Sequence, residues 1–190
     1  MANTLWDLSA SLAAGATHRS LNIDSFTASS GLQIDLKMGP RLRWGGHSIK
    51  AQAFYQNTYL SEGLLIKKEG QMAHSFGGSL GYNYALNRWV SLFGHSGLGG
   101  VQYTGGKSPQ FGEGFSIELA TPLGLHWEVG GGLNFWADRL GLSASYFQDV
   151  SALKINAAAG PVIGSGGYSY DVTGVNILLQ VDLATVLKNP

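Results

Sequence analysis

Apolar residues return at every second position along most of the chain, the period that sends alternate side chains to opposite faces of a β-strand. Trp6, Leu8, Ala10 and Leu12 share a face against Asp7, Ser9 and Ser11. Leu32, Ile34, Leu36 and Met38 oppose Gln33, Asp35 and Lys37, and the phase runs on through Leu42 and Trp44 opposite Arg41 and Arg43. Ile49, Ala51, Ala53 and Tyr55 oppose Lys50 and Gln52, while Leu80, Tyr82, Tyr84 and Leu86 oppose Ser79, Gly81 and Asn83. Val90 and Leu92 open a less regular segment whose phase slips before Val101 and Tyr103, which predicts a bulge. In the second half, Phe115, Ile117 and Leu119 oppose Ser116 and Glu118, and Leu123, Leu125, Trp127, Val129, Leu133 and Phe135 oppose His126, Glu128 and Asn134. Leu140, Leu142, Ala144 and Tyr146 oppose Arg139, Ser143 and Ser145; Leu153, Ile155, Ala157 and Ala159 oppose Lys154 and Asn156; Val175, Ile177, Leu179 and Val181 oppose Gln180 and Asp182. The pattern predicts about ten strands, since a helical stripe would mix Leu with Asp or Lys in nearly every segment.

Connections fit antiparallel hairpins. Gly45-Gly46 and Asn87-Arg88 read as tight turns. Polar or glycine-rich stretches at 15–30, 61–72, 104–114 and 164–170 read as longer loops. Short turns alternating with long loops is the asymmetry of a transmembrane barrel. No composition shift divides the chain, so a single domain over residues 1–190 is expected.

Composition then selects among barrels. Charged residues make up 13% of the chain, against about 25% in a typical soluble domain. Twelve basic residues balance twelve acidic ones, which removes the positive field of a nucleic-acid binder. There is no cysteine, hence no disulfide scaffold and no thiolate metal site. No apolar run is long enough for a transmembrane helix, so a membrane location requires a closed barrel. Met1 to Asp7 lacks a basic segment followed by an apolar core, and a leader removed before this chain begins is expected.

The polar face is mostly Ser, Gly, Asn and Gln, which suits a crowded lumen better than a solvated exterior. Five acids (Asp7, Asp35, Glu118, Glu128 and Asp182) and six bases (Lys37, Arg41, Arg43, Lys50, Arg139 and Lys154) fall on that face. They are expected to pair across the lumen and plug it. The opposite face carries Trp6, Trp44, Tyr55, Tyr82, Tyr84, Trp127, Phe135 and Tyr146, many near segment ends, as expected of rings at a membrane interface rather than in a core. A soluble lipocalin-like barrel would invert these faces.

With runs such as Leu123-Gly124-Leu125-His126-Trp127-Glu128-Val129, the whole chain resembles small bacterial outer-membrane β-barrels. Val172-Thr173-Gly174-Val175-Asn176-Ile177-Leu178-Leu179 is similar in spacing to the terminal strand signal of that class, although the chain continues to Pro190 without a final aromatic. The resemblance implies an all-β, antiparallel up-and-down transmembrane barrel of eight to ten strands, ten favoured, integral to the outer membrane.

Candidate chemistry is sparse. His95 and Ser96 are adjacent, and adjacent strand residues point to opposite faces, so the histidine is not placed to activate the serine. His126 and Glu128 share a face but fall short of the three or four ligands a metal needs, and a hydrogen-bonded lumen pair is expected instead. The glycines at 97–100 and 130–132 open no helix, so they read as packing room rather than as a phosphate cradle. Leu64, Leu65 and Ile66, beside Lys67, Lys68 and Glu69, are expected to fold onto the barrel mouth or extend the neighbouring hairpin, with a partner contact as the other reading. No catalytic site, cofactor or metal is expected. The expected partners are membrane lipid and another envelope protein met through loops or termini, with no nucleic acid. The expected role is structural, anchoring or interactive around a plugged lumen; the alternatives are a narrow pore for a small solute and an outer-membrane lipid-modifying enzyme.

Overall fold

The alternating runs form nine hydrogen-bonded segments, β1 (Leu5–Asn22), β2 (Thr27–Trp44), β3 (His47–Leu60), β4 (Gln71–Ala85), β5 (Val90–Thr104), β6 (Phe115–Ala120), β7 (Gly124–Phe135), β8 (Leu140–Ala159) and β9 (Val162–Asp182). The computed structural model describes residues 5–22, 27–61, 70–104, 115–136, 138–159 and 162–183. Every pairing is antiparallel, and β9 returns to pair with β1, which closes the sheet. β6 and β7 both lie on β8, at Lys154–Ala159 and Leu140–Val150 respectively, so they share one wall position and the barrel has eight strands.

Eight replaces the favoured ten for two reasons. The expected segments at 115–119 and 123–135 are one wall position, stepped at residues 121–123. Those at 140–146 and 153–159 are one continuous strand, paired with β9 without interruption from Leu140↔Val181 to Ala159↔Val162. The expected bulge in β5 is absent as well, because β5 runs in unbroken register with β4 from Ser91↔Ala85 to Thr104↔Met72. Two of the expected long loops, 15–30 and 164–170, are largely strand.

These differences have a common cause. A barrel strand needs about 9–11 residues to cross a membrane, and β9 has 21. Beyond the membrane the outer face meets water while the inner face must still pack, so the polarity of the two faces inverts although their geometry does not. On the loop side, His18, Asn57, His74, Gln102 and Gln148 point outward, whereas Leu21, Leu60, Ala73, Val101, Tyr103, Phe147, Tyr170 and Val172 form a buried apolar cluster inside. Val101 and Tyr103 therefore keep the phase of β5 and belong to the interior.

At the other end the connections are tight. Gly45 takes φ +55° between β2 and β3, the conformation for which glycine is suited. Asn87 accepts the backbone N–H groups of Trp89 and Val90 at 2.7 and 2.9 Å. The third turn, between β7 and β8, holds Trp136 and Asp138 at φ 50° and 70°. Asp138 is fixed there by bonds from Asn83 Nδ2 at 3.1 Å and Ser91 Oγ at 2.5 Å. Arg139 lies in this turn and is exposed, not on the lumen face expected of it. Strand β1 begins and strand β9 finishes at the same end.

Candidate functional site

Inside the wall the polar side chains are stacked in layers. At the turn end Asp7 and Arg41 are direct partners in the β1–β2 ladder, which sets their side chains side by side. Arg41 Nε donates to Asp7 Oδ1 at 2.7 Å and Nη2 to Oδ2 at 2.8 Å, while Nη1 reaches Asp182 Oδ2 at 3.1 Å. One guanidinium thus ties β2 to both strands of the β1–β9 closure, with the forked geometry that arginine supplies and lysine does not. Arg43 Nη2 joins Asp7 at 3.2 Å, and Lys50 Nζ lies 3.7 Å from Asp182.

The middle layer is built on Glu128, whose Oε1 accepts from Lys37 Nζ at 2.9 Å and whose Oε2 accepts from Gln56 Nε2 at 2.8 Å. Lys37 also contacts Asp35 at 3.3 Å, and His95 stands 3.5 Å from Glu128. The third layer is fully buried. Arg19 donates to Asp149 Oδ2 at 2.9 Å, to Tyr103 Oη at 3.0 Å and to Thr58 Oγ1 at 2.9 Å. Asp149 further accepts from the Tyr103 hydroxyl and contacts His126 Nδ1, both at 2.5 Å. The Arg19 guanidinium sits 4.4 Å over the Phe147 ring, and the apolar cluster closes the lumen around it.

Of the expected lumen charges, Asp7, Asp35, Lys37, Arg41, Arg43, Lys50, Glu128 and Asp182 are brought together in these layers. The side chains of Glu118 and Lys154 and the triplet Leu64, Leu65 and Ile66 lie outside the described residues. The expected His126–Glu128 hydrogen bond is not made: His126 turns to Asp149 and Glu128 to Lys37. Arg19, Asp149 and Tyr103 are the network members that pattern reading missed. Parity alone would have found Arg19, which continues the inward series Asp7, Ser9, Ser11, Ala13, Gly15 and Thr17.

The outer wall carries exposed apolar side chains throughout the band between the layers, from Leu8 and Leu12 to Ile177 and Leu179. Trp6, Trp44, Tyr82, Tyr84 and Phe135 circle its turn end, and Tyr55, Trp127 and Tyr146 its loop side. His47 Nδ1 pairs with the Tyr82 hydroxyl at 2.6 Å, and His74 Nδ1 with that of Tyr55 at 2.9 Å, so each rim has polar anchors. An uncharged belt, apolar but for Ser96 among the described residues, between two aromatic rims and around a polar interior is stable in lipid and not in water. Three solved structures share this architecture. Neisserial surface protein A aligns at TM-score 0.53 and 12% identity over 93% of this chain and 99% of its own. The outer-membrane enzyme PagL aligns at 0.51 and 18% over 91% and 98%. The outer-membrane protein OprG of Pseudomonas aeruginosa aligns at 0.51 and 14% over 92% and 95%.

The chain folds as a small bacterial outer-membrane β-barrel.

No protein-family model matches the sequence, and no curated protein matches it. At these identities the likeness concerns the barrel's fold alone. In such barrels the tight turns face the periplasm and the longer connections the exterior, which places the Arg41 layer toward the periplasm and the Arg19 layer toward the outside.

Proposed function

We propose that this barrel is a non-conducting, non-enzymatic anchor whose role is structural or interactive, exercised through the part of the wall that stands outside the membrane. The observation that carries this reading is the closed outer half of the lumen, where Arg19, Leu60, Val101, Phe147, Asp149 and Val172 have no solvent exposure. A barrel of eight strands encloses room for its own side chains or one small ligand, whereas aqueous channels need about 16–18 strands. The strands continue past the membrane belt, and the polar outer face they present there is suited to contact with another envelope component.

Planar-bilayer recording tests the reading. Refolded protein is expected to be electrically silent at every holding potential. Discrete steps whose ion selectivity changes on charge reversal at Lys37 or Arg43 would replace the reading with that of a narrow pore. For the enzymatic alternative, His95 faces the lumen and Ser96 the lipid, so the pair is not assembled for nucleophilic attack. Vesicles of outer-membrane lipid are expected to release no fatty acid; release that disappears in Ser96→Ala would overturn the non-enzymatic reading.

A further inference from the structure

The periplasmic half of the lumen is not packed solid. Between the Arg41 and Lys37 layers lies a polar cavity of about 30 Å³, room for two or three water-sized groups. Lys37, Lys50 and His95 line it, with amide side chains that include Gln52, Asn83 and Gln180. Among the described residues no carboxylate lines it, although Asp7, Asp35, Glu128 and Asp182 all stand in the adjoining layers. Lys37 and His95 are turned to Glu128, Gln52 donates to Ser9 and Asn83 to Asp138, so Lys50 is the lining cation whose donors remain open.

Lys50 is the least satisfied of these groups. The turn-end layer sets three cations, Arg41, Arg43 and Lys50, against Asp7 and Asp182 within the wall and Asp138 at its mouth. Arg41 takes both oxygens of Asp7 and the nearer position on Asp182 Oδ2. Lys50 is left 3.7 Å from that same oxygen, with its side chain 12% exposed, and makes no hydrogen bond among the described residues. An ammonium so placed has three donors to satisfy and little water to do it. Asp138 faces the mouth from the β7–β8 turn as the third carboxylate, its oxygens accepting from Asn83 and Ser91 rather than from Lys50.

We propose that this cavity binds a small soluble oxyanion, inorganic phosphate or a carboxylate group, held by Lys50 with the Gln180 amide and the remaining amide hydrogens of Gln52 and Asn83. Entry is from the periplasmic mouth, because the Arg19 layer and its apolar cluster close the other end. Lipid headgroups stay outside the wall. The proposal goes beyond the anchoring role and does not depend on it, since equilibrium binding and conductance are measured separately.

The test is a titration of the refolded barrel, in a maltoside detergent free of phosphate, with inorganic phosphate and in parallel with acetate. Amide shifts of Gln52, Gly81 and Asn83 are followed by NMR. Saturable 1:1 binding of either anion is expected, weakened about tenfold or more in Lys50→Met and retained in Lys50→Arg. Gln180→Leu serves as a second variant, also expected to weaken binding, should Lys50→Met fail the heat-modifiable mobility check for folding. Wild-type affinity in the folded Lys50→Met or Gln180→Leu protein would overturn the proposal. So would the absence of a saturable shift for both anions up to about 100 mM.

Discussion

Phe147 lies directly across Gly174 in the β8–β9 ladder, so close that a methyl group on Gly174 would stand 2.5 Å from Phe147 Cζ. The same methyl would press on the backbone oxygen of His18 in the strand on the other side. Glycine here is the seat of the ring. With the ring seated, its face receives the Arg19 guanidinium at 4.4 Å and it stacks beside His126 at a centroid distance of 6.0 Å.

Gly174→Ala is accordingly expected to displace Phe147 and destabilise the barrel by about 1–3 kcal/mol, the cost of overpacking a filled interior. Urea unfolding in lipid vesicles reads this as a lower midpoint. An unchanged midpoint would mean that the ring does not rest on Gly174.

The ion pair above that ring gives a second prediction. Arg19 and Asp149 are 2.9 Å apart with both side chains at 0% exposure. Removing one partner strands a buried charge, so Arg19→Leu and Asp149→Leu singly are each expected to cost about 3–5 kcal/mol. The double variant is expected to recover much of that loss, because neither charge then remains to be solvated. Midpoints that simply add would place the two groups in independent environments.

The position of the membrane is checked on the outer wall. Leu80, 62% exposed and paired with Ala51, lies in the middle of the apolar belt, while Tyr84 pairs with His47 beside the periplasmic turn. Leu80→Arg is expected to cost about 2–4 kcal/mol and Tyr84→Arg about 0–1 kcal/mol, following the depth of each residue in the bilayer. The order is read from urea midpoints in vesicles, and equal costs would remove the belt from lipid.

Where the wall crosses lipid, the alternation was legible because lipid demands an apolar outer face on every strand. In Trp6 to Leu12, Leu32 to Met38 and Leu125 to Phe135 the apolar parity is the outward one. Of the charges expected on the opposite parity, Asp7, Asp35, Lys37, Arg41, Arg43, Lys50, Glu128 and Asp182 lie inside, and Arg139 does not, since it belongs to a turn that carries no glycine signal. Outside the membrane that demand lapses. Gln148 faces outward and Phe147 inward, so the apolar alternation of β8 stops at Tyr146, and Val101 and Tyr103 read as a change of phase.

The class of the fold, the lipid-facing set and the polar filling of the lumen are legible along the chain, because each follows from a period of two under a fixed solvent. The number of strands is set by pairing across the wall, since a wall position stepped at residues 121–123 reads as two strands to any local pattern. The tertiary structure alone sets the partners too. Arg19 meets Asp149 across the lumen at a sequence separation of 130, a distance that barrel closure removes and no spacing along the chain encodes.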